Sequence, residues 1–101
     1  MLRAVFVRTL KPGVTYQEFK DAWLPEGLVG AYPATARVAR NTDNDRQVIT
    51  IIEVDVPPSE FGAASAALVR PDALARLAEI VETTELEGVY EDVFDEVSLL
   101  R

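Results

Sequence analysis

The chain is 101 residues long, 49% hydrophobic and 27% charged, which suits one globular domain over residues 1–101 and leaves no room for two joined by a linker. It holds no Cys and no His, so a disulfide framework, a thiolate zinc site, a thiol nucleophile and an imidazole base are excluded, and neither a metal nor a cofactor is expected. A net charge of −7 argues against phosphate recognition and so against a nucleic-acid partner.

Residues 2–10 place Leu2, Ala4 and Phe6 on one side and Arg3, Val5, Val7 and Thr9 on the other, the pattern of a strand that is apolar on both faces. This opening run carries Arg3 and Arg8, is too short for a signal-peptide core, and no stretch of the chain reaches bilayer-spanning length. A soluble, cytoplasmic protein with no membrane partner is therefore expected. Lys11-Pro12-Gly13 ends the strand, and Thr15-Tyr16-Gln17-Glu18 has the form of a capping box, so a helix over 15–25 is predicted with Tyr16, Phe19, Ala22 and Trp23 as its apolar stripe. Residues 28–33 are small and apolar and read as a loop that packs.

A second strand over 34–41 and a third over 47–56 flank the turn formers Asn41-Thr42-Asp43-Asn44-Asp45, which predicts a hairpin. Pro57-Pro58 stops the third strand, and Ser59 is the expected cap of a helix over 59–70 with Phe61, Ala64, Ala67 and Leu68 on its apolar stripe. Pro71 breaks that helix, and Leu74, Leu77, Ala78 and Val81 carry the helical period on through a helix over 71–84. Gly88 introduces a last strand over 89–99 whose imperfect alternation points to a bulge.

The order strand, helix, strand, strand, helix, strand predicts an α+β, ferredoxin-like βαββαβ domain in which helices cover one face of a four-stranded antiparallel sheet. The uncovered face keeps apolar side chains from the first strand together with Ile49 and Ile51 of the third. Such a patch marks an interface, and a homodimer packed sheet on sheet about a two-fold axis is the economical way to bury it.

The stretch Leu10-Lys11-Pro12-Gly13-Val14-Thr15-Tyr16-Gln17-Glu18-Phe19-Lys20-Asp21-Ala22-Trp23 resembles the strand end, KPG turn, capped helix and helix Trp that open proteins of the dimeric α+β barrel superfamily, the antibiotic-biosynthesis-monooxygenase-like and EthD-like proteins. The element order matches over nearly the whole chain. The His that usually follows the helix Trp in EthD-like sequences is replaced here by Leu24-Pro25-Glu26-Gly27, and a chain without His cannot ligate iron as the haem-degrading members do. The resemblance implies a dimeric α+β barrel and leaves open a cofactor-independent, monooxygenase-like enzyme acting on a small aromatic or polyketide-like molecule.

The residues expected at a ligand-binding site are Trp23, Arg37, Asn41, Phe6, Ile51 and Tyr90, with Tyr32 and Phe94 as further apolar walls and Arg8, Thr50, Glu53 and Asp92 as further polar groups. Trp23 also reads as plain core. Arg37 either holds an anionic oxygen in its fork of donors or pairs with Glu53 or Asp55 across the hairpin. Glu53 or Asp92 is the candidate base, unless both are exposed strand charges.

The negative charge is concentrated in residues 51–101, with three basic and twelve acidic side chains against seven and five in residues 1–50. The run Glu79, Glu82, Glu85, Glu87, Glu91, Asp92, Asp95 and Glu96 contains no Lys or Arg and reads as a solvated acidic face, the other reading being a metal site. The function that competes with the enzyme is a non-catalytic dimeric module for an apolar ligand or a protein partner. A convergent polar pair in an otherwise apolar cavity would favour the enzyme, and apolar walls alone the module.

Overall fold

A computed structural model describes residues 1–25, 34–94 and 96–99. The packed loop read at 28–33, with Tyr32, and the acidic Asp95 lie outside the described residues. The elements run β1 (Leu2–Leu10), α1 (Tyr16–Trp23), β2 (Ala34–Asn41), β3 (Asn44–Val54), a short 3-10 turn (Pro58–Glu60), α2 (Phe61–Leu68), α3 (Ala73–Ile80) and β4 (Val81–Glu91). The four strands form one sheet in the order β2-β3-β1-β4, and every neighbouring pair is antiparallel. This is the ferredoxin-like α+β arrangement.

Local chemistry sets most boundaries. Gly13 takes a φ of 85° in the turn after β1, a left-handed conformation that favours a residue without a Cβ. The Thr15 hydroxyl oxygen accepts the Glu18 amide at 3.1 Å, satisfying one of the unpaired donors at the start of α1. The hairpin between β2 and β3 is closed by Asn41, whose Oδ1 accepts the Asp43 amide and whose Nδ2 donates to Gln47 Oε1, both at 2.8 Å. Pro71 separates α2 from α3, and the Arg70 amide just before it donates to the Trp23 carbonyl at 2.9 Å, tying that break to the end of α1.

Several boundaries differ from the sequence reading, and three of the differences have a plain physical reason. The 3-10 turn absorbs Ser59, so α2 starts without a side-chain cap. β3 begins at Asn44 rather than Gln47, because the tight turn lets the ladder start sooner. The largest correction is at the C-terminal end: α3 stops at Ile80, the last strand is Val81–Glu91, and among the described residues 92–99 none is in a strand. The edge of β1 needs partners for its amides and carbonyls, and Val81, Thr83 and Thr84 supply β-branched residues against it, overriding the helical period. Two register shifts in β4, opposite Val7/Arg8 and Thr9/Leu10, displace its alternation. Val93, Phe94, Val97 and Leu99 beyond the strand are all largely exposed.

The register divides the sheet into two faces. Leu2, Ala4, Phe6 and Arg8 lie opposite Val54, Ile52, Thr50 and Val48. On this side Leu10, Phe19, Ala22, Trp23, Val48, Ala73 and Leu77 form one buried cluster, and Leu2, Val54 and Ala64 form another. Phe19 and Trp23 meet edge to face with centroids 6.2 Å apart. The other face presents Val5 and Val7 opposite Ile51 and Ile49, with Leu86 opposite Val7 on the far side. None of these five belongs to the clusters beneath the helices. Among the described residues no helix is long and apolar enough to cross a membrane.

Candidate functional site

Between the helix-covered face of the sheet and helices α2 and α3 lies a cavity of about 360 Å³. That volume is at the small end of ligand pockets, which run from roughly 300 to 1,000 Å³. β1 contributes Ala4, Phe6 and Arg8, β3 contributes Thr50 and Ile52, and α1 contributes Trp23; Phe61, Ser65, Leu68, Leu74 and Leu77 close it from the helices, and Glu87 and Val89 from β4. The walls are apolar because the helices carry Ala and Leu where they meet the sheet, and the short side chains of α2 leave space that larger ones would fill.

Four of the polar residues at this cavity have unusual surroundings. The Arg8 guanidinium sits 4.3 Å over the centroid of the Phe6 ring and makes no hydrogen bond among the described residues. Burial lowers its pKa from the ordinary value, partly offset by the Glu87 carboxylate. Among the described residues Arg8 and Glu87 are the only ionisable side chains in the lining, and they are close enough to interact through space without forming an ion pair. Trp23 Nε1 and Thr50 Oγ1 are fully buried and have no hydrogen-bond partner among the described residues. Buried polar atoms are nearly always paired in folded proteins, so two orphans lining one cavity call for an explanation. Ser65 is satisfied internally, its hydroxyl donating to the Gly62 carbonyl at 3.1 Å.

The residues singled out from the sequence divide between the two faces. Phe6 and Trp23 line the cavity, as do Arg8 and Thr50. Ile51 and Arg37 lie opposite each other on the face away from the helices. Tyr90, opposite Arg3, is on that face too, half exposed, with its ring edge over Gly88. Asn41 is used up in the hairpin turn. Arg37 and Asn41 are exposed and line neither this cavity nor a second hollow of about 380 Å³ between α1 and β2.

Glu53 and Asp92, the expected bases, both pair with Arg3, at 2.7 Å and 2.8 Å. Glu53 therefore binds Arg3 and not Arg37. The hydrogen bonds from Arg3 hold the Asp92 carboxyl below the usual carboxylate range, which makes it a poor proton acceptor. Glu87 and Ser65 were not found from the sequence: Glu87 is one of many acids in its run, and only the register of β4 shows which face it takes. Within the acidic run Glu82 pairs with Arg46, and among the described residues no cluster of three acids is placed to hold a metal ion.

The arrangement is thus an apolar cleft with one desolvated cation, one carboxylate and two orphaned hydrogen-bonding groups. The space is large enough for a small flat molecule, and the exposed Glu87 carboxylate stands at its edge. Comparison with protein-family models, with curated proteins and with solved structures finds no match to this chain.

Proposed function

We propose that the protein is a small homodimeric α+β barrel protein that binds a small aromatic or polyketide-like molecule in the helix-side cavity and acts on it as a cofactor-independent, monooxygenase-like enzyme. The observation that carries this reading is the pair Arg8 and Glu87 in an otherwise apolar cavity, the convergent polar pair that a purely passive apolar site does not need. Glu87 takes the role of proton acceptor that the sequence had offered to Glu53 or Asp92. The second copy covers the face bearing Val5, Val7, Ile49 and Ile51, and the cytoplasm is the proposed location.

The test uses a neutral aromatic dye, N-phenyl-1-naphthylamine, whose emission rises in an apolar cavity. The wild-type protein binds it, and Ser65→Phe, which fills the space between α2 and the sheet, abolishes binding while the circular dichroism spectrum stays the same. Undiminished binding to Ser65→Phe puts the dye elsewhere and removes the cavity from the argument. A non-catalytic binding module is the second reading, favoured by the exposure of Glu87. It predicts that Glu87→Gln leaves every property of the cavity unchanged.

A further inference from the structure

We propose that the cavity recognises its ligand by an anionic oxygen, a carboxylate or a phenolate on a flat apolar body, and that Arg8 is the residue that selects for it. This rests on the cavity being a binding site and adds the chemical class of what it takes. Three observations converge. First, the Arg8 guanidinium is partly desolvated yet has no hydrogen-bond acceptor among the described residues. A guanidinium over an aromatic ring has its face satisfied, but the in-plane N–H fork, suited to a pair of oxygens, is still unused. Second, Trp23 Nε1, which can only donate, is buried and has no partner among the described residues. Third, Thr50 Oγ1 is buried on the central strand, directly opposite Phe6, and has no partner among the described residues.

All three residues line the same space, and none of these groups requires an acceptor-poor ligand. A neutral hydrocarbon would leave Arg8 desolvated and unpaired, an unfavourable state, whereas an oxyanion converts the same burial into a charge-assisted hydrogen bond. Glu87 is the other ionisable group facing Arg8. It is exposed, so solvent screens its repulsion of a bound anion.

The experiment compares 2-naphthoate with its neutral isostere 2-naphthamide at neutral pH, reading quenching of the single Trp23 and checking with calorimetry. The wild-type protein is expected to prefer the acid by about tenfold, the scale of one charge-assisted hydrogen bond. Arg8→Met brings the two affinities together by weakening the acid alone, and Glu87→Gln retains or widens the preference. Equal affinity of the wild-type protein for acid and amide, or a preference that survives Arg8→Met, overturns the assignment while leaving the cavity reading intact. Binding of neither probe overturns both. The comparison within the wild-type protein stands even where Arg8→Met does not fold.

Discussion

Thr50→Val is expected to make the protein more stable and a worse binder. Thr50 is 2% exposed in the central strand β3, and its hydroxyl has no partner among the described residues. An unsatisfied buried polar group costs about 1–3 kcal/mol, and the lower bound of that range is taken for this hydroxyl. Valine has nearly the same shape, suits a strand, and removes the penalty. The expected gain is about 1 kcal/mol, which in a domain of this size raises Tm by about 4–8 °C. Thr50→Ser is the opposite control: it keeps the hydroxyl and deletes one buried methyl, with an expected loss of about 1 kcal/mol. Urea unfolding at a fixed protein concentration measures both, with the m-value unchanged. Destabilisation by Thr50→Val would mean that the hydroxyl is bonded in the native protein and that the cavity lacks this free group. A stabilised variant with undiminished affinity for 2-naphthoate would separate the orphaned hydroxyl from binding.

Phe19→Ala removes a fully buried ring at the centre of the larger core cluster and is expected to cost about 3–5 kcal/mol in the same urea assay, enough to threaten folding of a domain this small. Gly13→Ala forces a Cβ into a left-handed turn, and an expected loss of about 1 kcal/mol checks that the turn and not a packing contact constrains this position, since nothing lies within 4 Å of the added atom. Light scattering of the wild-type protein is expected to report twice the 11.1 kDa monomer mass, and Ile51→Asp to give a monomer, because a charge on the face away from the helices is tolerated in water and costly in an interface. A wild-type protein that is monomeric at micromolar concentration rules out the homodimer.

Where two local signals agree, the sequence was readable. α1 carries both a capping residue and a period of three to four, and β1 to β3 alternate cleanly around a turn-rich hairpin. β4 was misread because its signals compete: Leu74, Leu77 and Val81 keep a helical spacing into the strand, and register shifts interrupt period two where Val81 to Leu86 pair with β1. The site shows the same division. Phe6 and Trp23 were recognisable as large aromatics on the right faces, but the small or apolar neighbours of Arg37 favoured it over Arg8. Only the register, which sets Arg8 opposite Val48 on the helix-covered face and Arg37 opposite Ile51 on the other, shows that Arg8 is the one at the cavity.

The shift in β4 opposite Val7 and Arg8 also decides which side chain enters the cavity. Thr84 lies opposite Arg8, and Leu86, two residues on, lies opposite Val7, so Glu85 is the extra residue. Without it, strict alternation from Thr84 would set Leu86 opposite Phe6 on the cavity face and turn Glu87 away; with it, Glu87 lies opposite Phe6 and Leu86 joins the other face. The Glu85 carboxylate accepts hydrogen bonds from the Thr83 and Thr9 hydroxyls, the latter at 2.6 Å, and these hold its pKa below the usual value. A carboxyl depressed in the folded state adds stability that is fully present above the unfolded pKa, about 4.3 for Glu, and is lost as pH falls through the folded value. The urea midpoint should therefore drop on acidification below that point. Glu85→Gln keeps an acceptor oxygen but cannot titrate, so it should flatten part of the drop, the remainder belonging to Asp92 and Asp72, which Arg3 and Arg70 hold low in the same way. The protection of the Arg8 and Thr84 amides, taken relative to the intrinsic exchange rate at each pH, should fall with acid in the wild-type protein and not in the variant. Identical acid profiles for the two proteins would show that the hydroxyl bonds do not fix the bulge, and that the placing of Glu87 beside Arg8 has another cause.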